Sequence, residues 1–134
     1  FFELVAAEPQ QGAFHRIVRR LYSLSEVDLR PVSDGDRIGG FRAFHTPGHN
    51  PGHTVFLHPE SDTALLGDLV WSTDDGFVSP PWIDSYDTAR TADSVARIAG
   101  CQFEVACPGH GRPHETDGKK ALETLADELA ARRS

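Results

Sequence analysis

The sequence predicts an α/β fold in which helices cover one face of a single β-sheet. The chain has 134 residues, of which 39% are hydrophobic and 25% are charged, and this is enough for one domain with a real core. Apolar residues recur at helical spacing in three segments, whereas other segments are short β-branched or aromatic runs. These segments follow one another as helix, two or three strands, helix, strand and helix, an order typical of α/β layers. We therefore expect residues 1–134 to form a single domain.

The N-terminal part of the chain is predicted to contain a helix and the first strands. Residues 1–12 are a short apolar start that ends in a turn-like break. Over residues 13–24, apolar side chains recur every three or four positions with arginines between them, which predicts an amphipathic helix. Gly-containing turns at residues 34–36 and 39–40 bracket a short hairpin-like piece, and residues 40–44 are predicted to be a strand.

The central part is predicted to form a β-hairpin followed by a long loop. Residues 54–58 and 63–66 are rich in β-branched, aromatic and other apolar side chains, and the turn-like residues 59–62 separate them. Residues 71–86 hold both tryptophans and two prolines, which predicts a loop. Long loops beside a site often contribute to its wall.

The C-terminal part is predicted to be helix, strand and helix. Four apolar residues of a helix over residues 87–99 are expected to point inward: Ala92, Val95, Ala96 and Ile98. Residues 103–107 are predicted to be a strand, and a closing helix is predicted over residues 118–133. Its inward face carries Leu122, Leu125 and Leu129. The other face of the sheet would need a partner, because a buried sheet requires apolar cover on both faces.

Charge and composition exclude several classes of partner. The formal net charge is -7 and the basic residues are scattered, which argues against binding a nucleic acid or an anionic membrane. No run approaches the roughly 18 apolar residues of a membrane span, and no secretory signal is visible. Two cysteines cannot form a disulfide framework and favour the reducing cytoplasm. The chain has no Met, even at position 1, so we expect it to be a piece of a longer protein.

Three side chains that could bind metal each lie in a turn that is marked by Gly or Pro and follows an apolar run. They are His49, Asp68 and His110. Sheet proteins build metal sites in this way, since loops at strand ends can aim imidazole and carboxylate groups at one place. Neutral imidazole suits zinc or iron, and a carboxylate adds negative charge that can bridge two cations. Residues His45, His49 and His53 do not share a helical face, because Pro47 and Gly48 break a helix there.

Two further interpretations stay open at this point. A structural zinc site could use Cys101, Cys107, His110 and His114, although such sites usually have tighter Cys spacing, and the two cysteines flank an apolar strand. The aromatic residues of the loop over 71–86 could line a substrate pocket or fill the core beneath it.

Taken together, the motifs resemble those of the metallo-β-lactamase-fold hydrolases. The resemblance rests on Thr-Pro-Gly-His-x-Pro-Gly-His at residues 46–53, an apolar strand pair that ends in Gly-Asp at 67–68, and Pro-Gly-His-Gly at 108–111. It covers about residues 34–110 and is specific as a set. The resemblance implies that His49 binds one metal, that Asp68 bridges two metals and is the catalytic carboxylate, and that His110 binds the second metal. It also implies that His53 orients a ligand through a hydrogen bond.

The family signature His-x-His-x-Asp-His is absent from this chain. The resemblance therefore implies that the chain is the C-terminal half of an αββα sandwich, with one mixed sheet and helices on one face. The function implied for the complete form is that of a zinc-dependent hydrolase, in which a metal-activated water attacks a small ester, thioester or lactone. A glyoxalase-II-like thioesterase is a close relative by motif.

The resemblance implies two Zn²⁺ ions in the complete fold, and one or none in this chain alone. We expect a cytoplasmic enzyme with a small-molecule substrate and no nucleic-acid or membrane partner. The alternative is an inactive truncated module that forms a homodimer or pairs with a separate N-terminal half, because an exposed sheet face and edge favour association.

Overall fold

The structure is a computed structural model that describes residues 30–133, with Trp82 described by its backbone alone. The predicted N-terminal segment over 1–12 and the helix over 13–24 lie outside these residues. The single domain over residues 1–134 therefore stays a prediction.

Six strands and two longer helices make up the described part. The strands are β1 (Arg37–Ile38), β2 (Phe41–His45), β3 (Thr54–His58), β4 (Thr63–Thr73), β5 (Gly76–Val78) and β6 (Val105–His110). The helices are α1 (Thr88–Ala99) and α2 (Gly118–Arg133), and short 3-10 turns lie at Pro59–Ser61 and Trp82–Asp84. No helix among these residues is long and apolar enough to cross a membrane.

The strands form one mixed sheet, as predicted. Strands β1 to β4 pair antiparallel in chain order, β5 pairs antiparallel with β4, and β6 pairs parallel with β4. The parallel pair is joined by a crossover through α1, the usual connection between parallel strands. Strand β4 thus contacts three of the other strands and organises the sheet.

The core lies between one face of the sheet and the two helices. On β3 and β4, alternate residues point to this face, which includes Val55 and Leu66. They form one cluster with Ile98 of α1 and with Leu122 and Leu125 of α2. The prediction of helices on one face of the sheet is therefore confirmed.

Several predicted elements match the structure closely. Strand β3 and helix α2 have the predicted bounds, and α1 begins one residue after its predicted start. Asp87 is the N-cap of α1, because its side chain accepts a hydrogen bond from the Arg90 backbone N–H at 3.0 Å. The prediction that Ala96 points inward is wrong, since Ala96 is exposed.

The predicted loop over residues 71–86 is wrong in its first part. Strand β4 continues to Thr73, and β5 returns from Gly76 in a tight hairpin. Gly76 has a φ of 126°, a value that a residue with a side chain rarely adopts. In this hairpin Trp71 pairs with Val78. The spacing of the residues in the sequence did not predict this pairing.

The bounds of the last strand also differ from the predicted residues 103–107. Strand β6 begins at Val105 and continues through Pro108 to His110. Proline lacks a backbone donor and is tolerated in a strand that has few partners. Among the described residues, β6 pairs along its length with β4 alone, apart from a short bridge between Ala106 and His114.

Arg97 of α1 fastens the helix to the end of β2. Its guanidinium donates to the His45 carbonyl and to the Asp34 carboxylate, each at 2.8 Å. Asp34 also accepts from the His45 backbone N–H at 2.8 Å. The Arg97 guanidinium, followed by that N–H, lowers the pKa of Asp34 to about 2. The ion pair thus fixes the point at which the chain leaves the sheet toward residues 46–53.

Replacing Asp34 with Asn should lower the free energy of unfolding near neutral pH by roughly 0.5–1 kcal/mol, the range for a partly exposed ion pair. The folded-state pKa of Asp34 is depressed, so its contribution is complete above the unfolded pKa and is lost as the pH falls toward about 2. Urea unfolding at about pH 7 and about pH 3 should show the difference between the two proteins shrinking. Asp75→Asn, in the exposed turn before β5, is the control. A difference that stays constant with pH would contradict the assignment.

Candidate metal centre

The loop between β2 and β3 carries His49. Its two ends are joined by a hydrogen bond from the Thr46 backbone N–H to the His53 carbonyl at 2.9 Å. The His53 backbone N–H donates to the Asn50 carbonyl at 3.3 Å and closes a turn inside the loop. Thr46 is completely buried. The loop is therefore a closed and anchored structure rather than an open connection.

Gly48 allows this loop to lie directly on the start of α1. A Cβ atom at Gly48 would lie 2.6 Å from both the backbone N and the Cα of Thr91, so no larger residue fits. The Gly48 carbonyl accepts from the Asp87 backbone N–H at 2.9 Å, and Ser94 Oγ donates to the Pro47 carbonyl at 2.7 Å. These contacts fix the backbone of the residue that precedes His49.

Asp68 lies on β4 at a bulge. Between Gly67 and Trp71, β4 advances four residues while β6 advances two, from Pro108 to His110. Gly67 has a φ of 52°, in the left-handed region. A Cβ atom at Gly109 would lie 2.5 Å from Asp68 Oδ1, so the missing side chain leaves room for the carboxylate.

The Asp68 carboxylate lies between two imidazole rings. His49 Nε2 is 3.6 Å from Asp68 Oδ2, and His110 Nε2 is 3.2 Å from Asp68 Oδ1. Each carboxylate oxygen therefore faces a different histidine. The His49 side chain is 18% exposed, Asp68 37% and His110 59%, so the group is open on the His110 side. The Trp71 ring packs against His110, with 4.9 Å between ring centroids.

His53 packs beside this group and shares no hydrogen bond with it. Its Nδ1 atom is 2.8 Å from Thr46 Oγ1. Its Nε2 atom would be 3.0 Å from a Cβ at Gly67, which directly precedes Asp68. Burial, and next the neighbouring His49, lower the pKa of His53. The His53 ring therefore fills the space beside Gly67, on the strand that carries Asp68.

The structure changes the predicted backbone setting of two site residues. Asp68 and His110 were expected in turns after apolar runs, but Asp68 lies within β4 and His110 is the last residue of β6. The strands extend further because they pair with each other across the site. His45 is exposed, and its Nε2 atom is 2.7 Å from the Pro51 carbonyl oxygen.

The alternative zinc site with two cysteines does not form. Cys101 Sγ donates to the Arg97 carbonyl, whereas the His114 ring packs on Phe77 with 4.3 Å between centroids. Within residues 30–133, no group of three or more His, Cys, Asp or Glu side chains is arranged around a single metal position. Phe77 is buried in the core, which agrees with the core-filling interpretation, and the Trp71 ring packs against His110.

His49, Asp68 and His110 also do not surround one point, because the carboxylate separates the two rings. Two ligand atoms about 2.1 Å from a tetrahedral metal ion lie about 3.4 Å apart. The two His–Asp separations, 3.6 and 3.2 Å, lie on either side of this value. The donor set therefore suits two ions that share Asp68, with one imidazole for each, and each ion would need further ligands.

Asp84, which was not among the predicted site residues, lies on the other side of His49. Its Oδ2 atom is 4.0 Å from His49 Nδ1. The Nδ1 atom is buried and has no hydrogen-bond partner among the described residues. No sequence motif links Asp84 with His49, since the loop before α1 brings the two together.

Comparison with known proteins gives one family. The family model described as the metallo-beta-lactamase superfamily matches residues 12–110. The probable metallo-hydrolase YflN of Bacillus subtilis is 31% identical over 100 residues, which cover 66% of this chain and 37% of that protein. The probable metallo-hydrolase YybB of the same organism is 35% identical over 66 residues, covering 49% of this chain and 30% of that protein.

Solved structures share the fold. TTHA1623 in a di-iron-bound form is 33% identical with a TM-score of 0.60, and the match covers 72% of this chain and 47% of that one. The metallo-beta-lactamase family protein TTHA1429 from Thermus thermophilus is 29% identical with a TM-score of 0.56. This match covers 75% of this chain and 35% of that one. The chain thus spans less than half the length of these relatives. Their shared fold confirms the predicted α/β fold class of the metallo-β-lactamase type.

Replacing Gly48 with Ala should lower the free energy of unfolding by about 2–3 kcal/mol, because the new Cβ atom meets the backbone of Thr91 and neither segment can move freely. Urea unfolding monitored by circular dichroism measures the change. Gly100→Ala is the matched control, since its Cβ would lie 3.4 Å from the nearest atom, and a change within about 0.5 kcal/mol is expected. Equal stability of the two variants would show that the His49 loop is not seated on α1.

Proposed function

Because the chain belongs to the metallo-beta-lactamase superfamily, we propose that it supplies the second half of the metal centre in a hydrolase of a small ester, thioester or lactone. Superfamily membership and the probable metallo-hydrolases among its relatives support metal-dependent hydrolysis. The observation that carries the proposal is the position of Asp68, whose two carboxylate oxygens face His49 and His110 separately.

Each of the three residues has one role in this proposal. His49 and His110 present their Nε2 atoms as ligands, and Asp68 places one oxygen beside each of them. Bound metal ions would supply Lewis acidity and lower the pKa of a water for attack on a carbonyl group. A side chain at Gly109 would clash with the Asp68 carboxylate, and a side chain at Gly48 would push the His49 loop away from α1. The exposed side of His110 leaves the site open to a substrate.

Zinc is the metal we propose, with two ions in the complete protein. Imidazole and carboxylate ligands accept zinc, iron and manganese, and the similar protein TTHA1623 has been solved in a di-iron-bound form. Elemental analysis of the protein purified without chelator would distinguish these metals.

The remaining ligands are proposed to come from the part of the fold that this chain does not contain. The described residues offer each ion one imidazole and one carboxylate oxygen, whereas a catalytic zinc usually has three protein ligands. The relatives are more than twice as long as the aligned region. We propose that a His-x-His-x-Asp-His segment completes the site in the full-length protein. A cytoplasmic location also stays a proposal, consistent with the free thiols of Cys101 and Cys107.

Replacing Asp68 with Asn in the full-length protein should reduce both metal content and hydrolysis, because the neutral amide no longer balances two cations. The loss of turnover should exceed the 10- to 100-fold that is typical when a residue only supports a ligand, so we expect a decrease of about a hundredfold or more. Metal per chain and ester hydrolysis are the two measurements. Asp75→Asn should change neither. An Asp68→Asn variant with full metal content and unchanged turnover would remove Asp68 from the centre.

The second candidate function is that of a module that pairs through the sheet face opposite the helices. On the face opposite the helices, Phe56 lies between Ala43 and Leu65, and Leu65 pairs with Cys107. Leu65 is 38% exposed. This apolar row crosses four strands, and a sheet that is apolar on both faces requires cover on both. We propose that the N-terminal half of the complete fold covers it, and that a second copy takes its place when that half is missing.

Replacing Leu65 with Lys should abolish association of the 134-residue chain, because a charge would enter the centre of the buried row. Sedimentation velocity over a range of concentrations should show a self-associating parent chain and a monomeric variant. Ile38→Lys is the control, since Ile38 is 46% exposed on β1 and lies outside this row. A parent chain that remains monomeric and fails to bind a separately produced N-terminal half would exclude the pairing.

A further inference from the structure

We propose that Asp84 is a positioning residue that holds the neutral His49 ring with its proton on Nδ1 and leaves Nε2 unprotonated toward Asp68. The consequence for metal affinity rests on the proposed function, whereas the position of the proton does not.

The first support is the buried Nδ1 atom of His49. It is inaccessible to solvent and has no hydrogen-bond partner among the described residues. Leaving a buried polar atom unpaired is unfavourable, so a nearby acceptor should be used. Asp84 Oδ2 is 4.0 Å away, and the Asp84 side chain is 51% exposed and can turn. A movement of about 1 Å brings the two atoms within hydrogen-bond distance.

The second support is the backbone that carries Asp84. Two hydrogen bonds join the segment after Asp84 to the His49 loop: the Tyr86 N–H donates to the His49 carbonyl at 3.1 Å, and the Asp87 N–H donates to the Gly48 carbonyl at 2.9 Å. The carboxylate and the imidazole therefore belong to segments that are fastened to each other.

The chemical consequence follows from the single proton of a neutral imidazole. A carboxylate at Nδ1 stabilises the Nδ1–H form, and Nε2 then carries a lone pair. That lone pair faces Asp68 Oδ2 at 3.6 Å, an arrangement that favours a cation between the two atoms. In the opposite form, Nε2 would carry the proton and would have no lone pair for a metal. Asp84 thus selects the form of His49 that is ready to bind a metal.

Three variants of the full-length protein separate this role from a general effect of charge. Asp84→Ala removes the acceptor, and Asp84→Asn keeps an acceptor oxygen while losing the charge. Asp75→Ala removes an equal charge in the exposed turn before β5. If charge alone mattered, Asp84→Asn and Asp84→Ala would behave alike. If the acceptor matters, Asn should restore most of the effect.

The experiment has two readouts. Long-range ¹⁵N–¹H NMR of the metal-free protein at about pH 8.5, where an ordinary imidazole is neutral, reports which nitrogen of His49 carries the proton. Zn²⁺ affinity is measured by competition with a chromophoric chelator. We expect the His49 proton on Nδ1 in the parent and in Asp75→Ala. In Asp84→Asn it should remain mainly on Nδ1, and in Asp84→Ala it should shift toward Nε2. Zn²⁺ affinity should fall about 10- to 100-fold in Asp84→Ala and less than tenfold in Asp84→Asn.

An Nε2–H ring in the parent, or an unchanged ring in Asp84→Ala, would overturn the inference. Equal losses of affinity in Asp84→Asn and Asp84→Ala with an unchanged ring would assign Asp84 an effect of charge only and overturn it as well. A parent protein that shows Nδ1–H but binds no Zn²⁺ would instead contradict the proposed function and leave the positioning role supported. Thermal unfolding of the metal-free variants identifies any general loss of structure.

Discussion

The position of the Asp68 carboxylate is the constraint on which the rest of the site depends. It must lie between His49 and His110, which arrive on a loop and at a strand end that are far apart in the chain. Strand β4 meets this requirement by bulging after Gly67, while β6 continues alongside it in parallel. Gly109 is small enough to leave the carboxylate its place. The sheet therefore supplies two of the three side chains from adjacent strands, and their separation is set by strand pairing rather than by loop conformation.

Helix α1 fixes the third side chain. Its first turn receives the His49 loop at Gly48, and Arg97 in its last turn holds the end of β2 and the Asp34 carboxylate. The same helix contributes Val95 and Ile98 to the hydrophobic core. Core packing and site geometry are thus coupled, because α1 carries both core residues and contacts that hold the His49 loop. Asp84 lies in the segment before this helix, and its Oδ2 atom is 4.0 Å from Nδ1 of the His49 ring.

The described residues form an arrangement that is ordered but open. The Asp68 carboxylate lies between two histidines, the His110 ring is exposed, and an apolar row lies on the sheet face opposite the helices. Under the proposed function, additional chain completes each of these features. The superfamily relationship and the limited share of each relative that is matched agree with this interpretation.

The sequence by itself determined the elements whose pattern is local. Strand β3 and helix α2 were predicted with their observed bounds, because alternation and helical periodicity are properties of adjacent residues. His49, Asp68 and His110 were predicted as site residues from their motifs, and the structure brings them together. Only the tertiary structure placed Asp68 on a bulged strand instead of in a turn, extended β6 to His110 and brought Asp84 to His49. The reason is physical: strand extension and the contact between Asp84 and His49 depend on hydrogen bonds and packing between distant segments, which no short stretch of sequence contains.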